Sequence, residues 1–199
     1  KGGQWQRALA LLDEMRAVDV APNVITFNAA ISACEKGGQW QRALALLDEM
    51  RAVDVAPNVI TFNAAISACE KGGQWQRALA LLDEMRAVGV APDVITFNAA
   101  ISACARGGQP GEALRLWEVL STSTSGVRGE AEFNAILDAV ACWPLKAREL
   151  WILGLESGVY RSNQPYVLRE DGRALRVLDL HGLSEGASEA AIRLSLIHI

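Results

Sequence analysis

The chain has 199 residues, of which 51% are hydrophobic, and its formal net charge is −4. This hydrophobic content is enough to bury a sizeable core, which excludes a globally disordered chain. Because the charge is slightly negative and no basic tail is present, strong non-specific binding to nucleic acid is also excluded. No run reaches the roughly 18 apolar residues of a membrane span, so we expect no membrane partner.

An internal repeat dominates the sequence. Residues 1–35 recur letter for letter as residues 36–70, and residues 71–105 repeat them with three changes. The third copy has Gly89 for Asp54, Asp93 for Asn58 and Ala105 for Glu70. A period of this length indicates a solenoid, since each unit is too small to bury its own core and must stack on its neighbours. Stacked arrays mostly bind extended partners, which favours a binding module over an enzyme.

The unit formed by residues 24–58 predicts two helices. In residues 24–36 the spacing i, i+3, i+4, i+7 defines one apolar face, made of Phe27, Ala30, Ile31 and Cys34. Gly37-Gly38 then breaks the helix. Residues 39–53 carry a second apolar stripe, made of Ala43, Leu44, Leu47 and Met50. We expect Asp54-Val-Ala-Pro57 to end this second helix, since the residue before a proline is disfavoured in the α conformation.

Three of the four cysteines are a single cysteine copied at the repeat period: Cys34, Cys69 and Cys104. Each lies in an apolar helical run, which predicts a buried thiol. The sequence has no Cys-x-x-Cys pair and no Cys/His cluster, so we expect neither a zinc site nor a disulfide framework. We expect no metal and no cofactor.

The units 24–58 and 59–93 each contain Val-Ile-Thr-Phe-Asn-Ala-Ala-Ile-Ser-Ala-Cys, Asp-Glu-Met and Val-Ala-Pro followed by Asn or Asp. Through these motifs and its period, the repeat resembles the pentatricopeptide repeat (PPR). The tetratricopeptide repeat differs, with a period of about 34 residues and a Trp-x-x-Leu-Gly-x-x-Tyr start that is absent here. The resemblance implies an all-α, right-handed αα-hairpin solenoid over residues 1–162. Its units would be a partial unit 1–23, then 24–58, 59–93, 94–129 and a degenerate 130–162 in which Trp143-Pro144 replaces the Gly-Gly turn.

Members of the family bind single-stranded RNA, one base per repeat, through two or three side chains. By resemblance, the base-reading asparagines are Asn28, Asn63, Asn98 and Asn134, each acting with the last residue of its own unit. Those last residues include Asn58 and Asp93. For the four asparagines the alternative is a local hydrogen bond to the backbone. For Asn58 and Asp93 it is simple capping of the next helix, a role compatible with base reading.

The chemistry of the second residue predicts which base each unit prefers. An ionised Asp93 only accepts hydrogen bonds, so it suits uracil, whose N3 carries a hydrogen, and opposes cytosine, whose N3 is an acceptor. Asn58 can also donate, which makes cytosine acceptable. The Asn28–Asn58 unit should therefore prefer C or U, and the Asn63–Asp93 unit U. Asn98 and Asn134 suggest that their units also read pyrimidines. The second reading residue of each of these units stays open, because both units end irregularly.

Two further rows recur at the repeat period. The resemblance implies that bases are sandwiched between consecutive units by Ile25, Ile60 and Ile95, with ordinary packing between units as the alternative. A row of cations suits a phosphate backbone, with stabilisation of the helix dipole as the alternative: Lys36, Lys71 and Arg106. Three tryptophans on the second helices are expected to pack rather than stack on bases: Trp5, Trp40 and Trp75.

Beyond the repeats we expect a linker at 163–175. Residues 176–193 resemble the opening of a small MutS-related (SMR) domain, through Val177-Leu-Asp-Leu-His-Gly. We expect a strand near 177–180 and a helix over 183–193, with Asp179 and His181 either as site residues of that domain or as polar residues that end a strand. One histidine without a partner supports no catalytic role, so we expect no enzymatic activity.

Both ends of the sequence suggest that the chain is a fragment. It starts at Lys1 in the middle of a unit, and residues 194–199 are expected to be a cloning scar. The leading interpretation is a sequence-selective binder of single-stranded RNA, acting in the chloroplast or mitochondrion by family resemblance, with no small-molecule substrate. The alternatives are a peptide-binding scaffold of the tetratricopeptide type and an RNA endonuclease in the full-length parent.

Overall fold

A computed structural model describes residues 4–123, 129–157, 159, 166–170 and 173–177. The chain divides into two compact units, Lys1–Gly107 and Gly108–Ile199, and each is described by itself. The first unit contains six helices among its described residues: α1 (Gln4–Ala17), α2 (Val24–Lys36), α3 (Trp40–Ala52), α4 (Val59–Lys71), α5 (Trp75–Ala87) and α6 (Val94–Arg106).

The helices of the first unit form a solenoid of antiparallel pairs. Each first helix packs on the second helix of its own repeat, α2 on α3 and α4 on α5, and the first helices α2, α4 and α6 pack side by side. Each second helix also packs on the next first helix, α3 on α4 and α5 on α6. The prediction of an αα-hairpin solenoid is confirmed.

The core follows the predicted first-helix face. Phe27, Ala30, Ile31 and Cys34 are all buried. On α3 the buried residues are Ala43, Leu46, Leu47 and Met50. The prediction of Leu44 in this stripe was wrong: it is half-buried, and Leu46 takes its place. The observed set has the i, i+3, i+4, i+7 spacing of one helical face, which Leu44 breaks.

Both helices of a repeat end in the same hydrogen-bonded motif. After α2, Gly38 has a φ of 68°, and the N–H of Gln39 donates to the carbonyl of Cys34 (2.9 Å). After α3, Asp54 has a φ of 56°, and the N–H of Val55 donates to the carbonyl of Met50 (2.9 Å). This is the Schellman arrangement, in which one residue in the left-handed region closes the helix.

The second helix therefore ends where predicted, before Asp54-Val-Ala-Pro57, but Pro57 is not the cause. The chain has already left the helix at Asp54, because its left-handed conformation turns the backbone back onto the last carbonyls. The third copy has Gly89 at this place, with a φ of 77°. Glycine has no Cβ to resist that conformation, so this natural change relieves strain.

The turn between the two helices is tied to the preceding repeat. A Cβ on Gly37 would lie 2.5 Å from Cδ1 of Trp5, and a Cβ on Gly72 would lie 2.3 Å from Cδ1 of Trp40. Gly107 and Trp75 repeat the relation. The expectation that these tryptophans pack is confirmed, and the first glycine of each Gly-Gly pair is needed for close approach.

Identical sequences are buried differently at the start of the array. Leu11 on α1 is 51% exposed, whereas its copy Leu46 on α3 is 6% exposed. The reason is that α2 covers α3, while no first helix precedes α1 among the described residues. Because terminal repeats need a polar outer face, we expect fraying or self-association of this chain at the exposed face of α1.

The second unit contains α7 (Pro110–Ser123), α8 (Glu130–Ala139) and α9 (Pro144–Glu156) among its described residues. Both α7 and α9 begin with a proline, which suits the first position of a helix because its missing N–H needs no partner there. This explains how α9 starts without a Gly-Gly turn. Buried Phe133 meets the ring of Trp117 edge-on, at 4.9 Å between centroids.

Two strands follow the helices: β1 (Tyr166–Glu170) and β2 (Arg173–Val177). They pair antiparallel, with Tyr166 opposite Val177 and Glu170 opposite Arg173. Residues 166–170 and 173–175 of the predicted linker 163–175 therefore lie in strands. In the sequence Asp171-Gly172 separates two runs with strand character, and Asp-Gly is a strong hairpin signal that our interpretation missed.

The strand predicted near 177–180 overlaps β2 only at Val177. Residues 178–199 lie outside the described residues, and with them the predicted helix 183–193, Asp179 and His181. Within the described part of the chain, no helix is long and apolar enough to cross a membrane.

Candidate nucleic-acid interface

The last residue of each repeat caps the next first helix. Asn58 precedes α4, and its Oδ1 accepts a hydrogen bond from the backbone N–H of Thr61 (3.1 Å). In return, the N–H of Asn58 donates to Oγ1 of Thr61 (3.1 Å). This reciprocal pair is a capping box. Asp93 forms the same box with Thr96 before α6. The capping alternative is thus confirmed for both residues.

The predicted base-reading pair is joined by a hydrogen bond within its repeat, and a further bond reaches it from the next repeat. Nδ2 of Asn28 donates to Oδ1 of Asn58 (3.2 Å), and Oγ1 of Thr61 donates to Oδ1 of Asn28 (2.6 Å). The amide of Asn28 is therefore held at both ends by side chains at the end of its own repeat and the start of the next. The local backbone bond that we considered as an alternative is not its role.

The second pair repeats this arrangement with a carboxylate. Nδ2 of Asn63 donates to Oδ1 and Oδ2 of Asp93 (3.1 and 3.3 Å). Oγ1 of Thr96 donates to Oδ1 of Asn63 (2.5 Å), and the N–H of Thr96 donates to Oδ1 of Asp93 (2.8 Å). Asn63 and Asp93 are thus placed together, as predicted from the sequence.

The two pairs differ in the atom left for an outside ligand. Oδ1 is occupied by the cap in both Asn58 and Asp93. Among the described residues Nδ2 of Asn58 donates to no protein group, and Oδ2 of Asp93 accepts only from Asn63 (3.3 Å). The first pair therefore offers a donor at this place and the second pair an acceptor.

Hydrogen bonding keeps the carboxyl of Asp93 ionised. Partial burial raises its pKa, but hydrogen bonds from the backbone and side chain of Thr96, from Asn63 and from the backbone of Ile95 together outweigh the burial. The pKa therefore lies below its usual value. At neutral pH this group is an acceptor only.

The predicted units of the third and fourth asparagines end differently from those of the first two. Asn98 is half-buried on α6, like its copies. The last residue of its predicted unit is Gly129, which caps α8 without a side chain. Asn134 is half-buried on α8, and the end of its predicted unit lies outside the described residues. Their roles stay predictions.

The isoleucine row is accessible. The exposed fractions of Ile25, Ile60 and Ile95 are 73%, 57% and 64%. Packing between repeats therefore does not explain these residues, because it would bury them. An exposed apolar side chain in the first turn of each first helix is available to a flat apolar ligand surface.

The cation row is partly occupied by acidic side chains of the preceding repeat. Lys71 forms an ion pair with Glu35, and Nε of Arg106 lies 2.7 Å from Oε1 of Glu70. The carboxylate side chains are only 13% and 12% exposed. Lys36 forms no ion pair within the part of the chain that the structure describes. Sequence reasoning missed these pairs because their members lie in different repeats.

The three cysteines that recur at the repeat period belong to the core. Cys34, Cys69 and Cys104 are buried, as predicted. Burial raises the pKa of Cys34, and it raises that of Cys69 to about 11. These thiols are therefore protonated at neutral pH. In the described residues no three His, Cys, Asp or Glu side chains are grouped to hold a metal.

Solved structures with the same fold come from proteins that contain this repeat. The maize pentatricopeptide repeat protein PPR10 is 30% identical, with a TM-score of 0.66, over 79% of this chain and 23% of that one. The structure of PPR10 in complex with an 18-nt psaJ RNA element is 32% identical to this chain, with a TM-score of 0.67. The present chain thus spans 23% of the length of PPR10. No curated protein matches the sequence.

A more distant likeness supports the fold alone. The PPR domain of Arabidopsis thaliana protein-only RNase P 1, in complex with tRNA, is 20% identical, with a TM-score of 0.68, over 81% of this chain and 86% of that one.

A family model for the pentatricopeptide repeat domain matches residues 2–37, 10–72 and 45–107. A model for the PPR repeat matches residues 95–122. Since these matches extend over more than half of the sequence, the chain belongs to the pentatricopeptide repeat family.

Proposed function

We propose that this array binds single-stranded RNA selectively, one base per repeat, with Asn28–Asn58 and Asn63–Asp93 as the reading pairs. The observation that carries the proposal is a difference of one atom: two otherwise matching sites present a nitrogen donor in one repeat and an oxygen acceptor in the next. Nδ2 of Asn58 is a donor where Oδ2 of Asp93 is an acceptor. The similar maize protein, solved with an RNA element, supports RNA as the ligand.

The base preferences follow from hydrogen-bond complementarity. N3 of uracil carries a hydrogen, which Oδ2 of Asp93 can accept. N3 of cytosine is an acceptor, which Nδ2 of Asn58 can satisfy and Asp93 cannot. Because the cap occupies Oδ1 of Asn58, the first pair should prefer C and tolerate U. The second pair should prefer U and oppose C.

Two further groups complete the binding surface in this proposal. Ile25, Ile60 and Ile95 flank the bases, since their exposed side chains can contact base faces. Lys36, Lys71 and Arg106 contact the phosphates. Of these, Lys36 is the most available to a phosphate, because Lys71 and Arg106 form ion pairs with Glu35 and Glu70.

The affinity should be modest. Asn98 and Asn134 add at most two further pyrimidine contacts, and Gly129 contributes no side chain to the third unit. At about 1–3 kcal/mol for each stacked base, less the cost of association, roughly micromolar or weaker binding is expected. The net charge of −4 adds no general attraction for RNA.

The test is fluorescence anisotropy with short single-stranded RNAs that differ at two adjacent positions, with the 5′ base facing Asn28–Asn58. We expect C-U to bind best, U-U next, and purines at both positions worst. The same RNA in a duplex is the matched control and should bind weakly, because its base edges are paired. Equal binding of all sequences would contradict the proposed selectivity, and no binding of any RNA would favour the alternative of a peptide-binding scaffold.

The wider role rests on family resemblance. We place the site of action in the chloroplast or mitochondrion, in RNA processing or expression. We also propose residues 176–193 as the opening of an SMR domain, with Asp179 and His181 as candidate site residues and an RNA endonuclease as the alternative activity of the full-length parent. Determining the complete open reading frame tests both, through its targeting segment and its C-terminal domain.

A further inference from the structure

The structure assigns Thr61 and Thr96 to base recognition, as positioning residues that orient the reading asparagine of the preceding repeat. Each threonine is the third residue of a first helix and is fully buried. Neither is expected to touch RNA. The inference rests on the proposed function, because it concerns how the reading pairs of that function keep their selectivity.

The hydrogen bonds of Thr96 determine the direction in which its hydroxyl donates. Oγ1 of Thr96 accepts from the backbone N–H of Asp93 (3.1 Å). Its single proton then has two acceptors within reach, Oδ1 of Asn63 at 2.5 Å and Oδ1 of Asp93 at 2.9 Å. Oδ1 of Asp93 already accepts from the N–H of Thr96 (2.8 Å) and from Asn63 (3.1 Å). The bond to Asn63 is the shorter and therefore the stronger of the two, and the hydroxyl also stays within hydrogen-bonding distance of Asp93.

That bond fixes the orientation of the asparagine amide. With Oδ1 of Asn63 held by Thr96, its Nδ2 points to Asp93, and one of the two N–H groups of Nδ2 remains for a base. Thr61 holds Oδ1 of Asn28 in the same way (2.6 Å). A buried group that offers only one donor selects one of the two amide orientations, so the reading edge is set before RNA binds.

The first repeat supplies an internal comparison. Thr26 forms the same capping box, with the N–H of Asn23 donating to its Oγ1 (2.8 Å). Its hydroxyl donates instead to the backbone carbonyl of Asn23 (2.8 Å). Thr26 contacts no reading asparagine. Its replacement therefore reports the loss of the capping box alone, without a change to a reading pair.

The experiment measures selectivity one base at a time. Thr96→Val keeps the shape of the side chain and removes the hydroxyl, and Thr61→Val does the same one repeat earlier. For each variant and for Thr26→Val, Kd is measured for RNAs that vary only at the base facing Asn28–Asn58 or only at the base facing Asn63–Asp93. Thr96→Ser, which restores the hydroxyl, tests for rescue. Thermal melting of each variant shows that the array is folded.

We expect Thr96→Val to reduce the U-over-C ratio at the second base by roughly twofold to tenfold, the range set by one hydrogen bond. The ratio at the first base should not change. Thr61→Val should give the reverse pattern, Thr26→Val should change neither ratio, and Thr96→Ser should restore the second. A general loss of stability would lower affinity for all RNAs and could not produce this crossed pattern.

The outcomes separate this inference from the proposed function. If the wild type distinguishes U from C at the second base and Thr96→Val does so equally well, the positioning role is wrong and the proposed function stands. If the variants lower the affinity for all RNAs and leave both ratios unchanged, or change both ratios together, the threonines do not orient individual asparagines, and the inference is also wrong. If the wild type does not distinguish U from C, the proposed function fails and the inference fails with it.

Discussion

Gly72 lies so close to Trp40 that a Cβ added to the glycine would be 2.3 Å from Cδ1 of the indole. The backbone of Gly72 is in an ordinary conformation, with a φ of −83°. Its neighbour Gly73 is the opposite case, with a φ of 68° and nothing within 4 Å of an added Cβ. The two glycines of one turn are therefore required for different reasons, one for close packing and one for backbone conformation.

Alanine variants should separate these reasons. Gly72→Ala should lower the free energy of unfolding by about 1–3 kcal/mol through overpacking, and Gly73→Ala by about 1 kcal/mol through strain at positive φ. In a Trp40→Ala background the cost of Gly72→Ala should largely disappear, while that of Gly73→Ala should be unchanged. Urea unfolding of the four variants measures both. Equal costs of Gly72→Ala in the two backgrounds would contradict the packing role of Trp40.

The isoleucine row should matter for binding and not for stability. Ile60→Ala should weaken RNA binding by roughly 1 kcal/mol, because an exposed side chain that contacts a base is lost. Its melting temperature should stay close to that of the wild type, since Ile60 is 57% exposed. Val53→Ala is the control: it removes a similarly exposed apolar side chain, at the end of the second helix α3, and should leave binding unchanged. A loss of stability without loss of affinity would identify Ile60 as a packing residue.

Glu35 should restrain RNA binding through Lys71. Glu35→Gln frees the ammonium group of Lys71, so we expect tighter binding and a slope of log K against log salt that is steeper by about 0.7, the value for one added phosphate contact on a single strand. Glu49→Gln removes the same charge from an ion pair with Arg16 on the second helices and should have a smaller effect on this slope. If the two variants behave alike, only net charge matters and Lys71 makes no phosphate contact.

Much of the fold follows from local sequence, because the apolar spacing and the glycines act within one repeat. The face made of Phe27, Ala30, Ile31 and Cys34 is an example. The exposure of Leu11 could not be predicted in this way, because its sequence surroundings are identical to those of the buried Leu46. What differs is the helix that packs on each of them.

The residues of the candidate site and their pairing were predicted, but the hydrogen bonds that reach them from the next repeat were not. Asn28 and Asn58 were identified from the repeat, but the bond from Thr61 to Asn28 joins residues 33 positions apart. A signal was present, since an asparagine followed three residues later by threonine is a pattern that can form a capping box. The position where the second helix ends was predicted, but the left-handed conformation of Asp54 was not, because a non-glycine residue at positive φ is uncommon.

The carboxyl of Asp93 should give the array a defined dependence on pH. Its pKa in the folded state is lowered, so its stabilising contribution is complete above the unfolded value of about 3.9 and is lost as the pH falls through the lower folded value. The difference in unfolding free energy between wild type and Asp93→Asn should be constant from pH 7 to about pH 5 and should fall in more acidic solution. Denaturant unfolding at several pH values measures it. A difference that grows on acidification would contradict the hydrogen bonds assigned to this group.

The exchange of Asp93 for asparagine tests the reading pairs. With Asp93→Asn, the second pair consists of two asparagines, like the Asn28–Asn58 pair of the preceding repeat. Both residue types cap helices well, so the array should stay folded. Binding of short single-stranded RNAs that differ only at the facing base should show a wild-type preference for U and a shift of roughly tenfold, about 1.4 kcal/mol, towards C in the variant. Asn58→Asp should produce the reverse shift at the other base. If the wild type does not separate U from C, or the variant keeps the same preference, Asp93 is a helix cap alone and base reading by this array is contradicted.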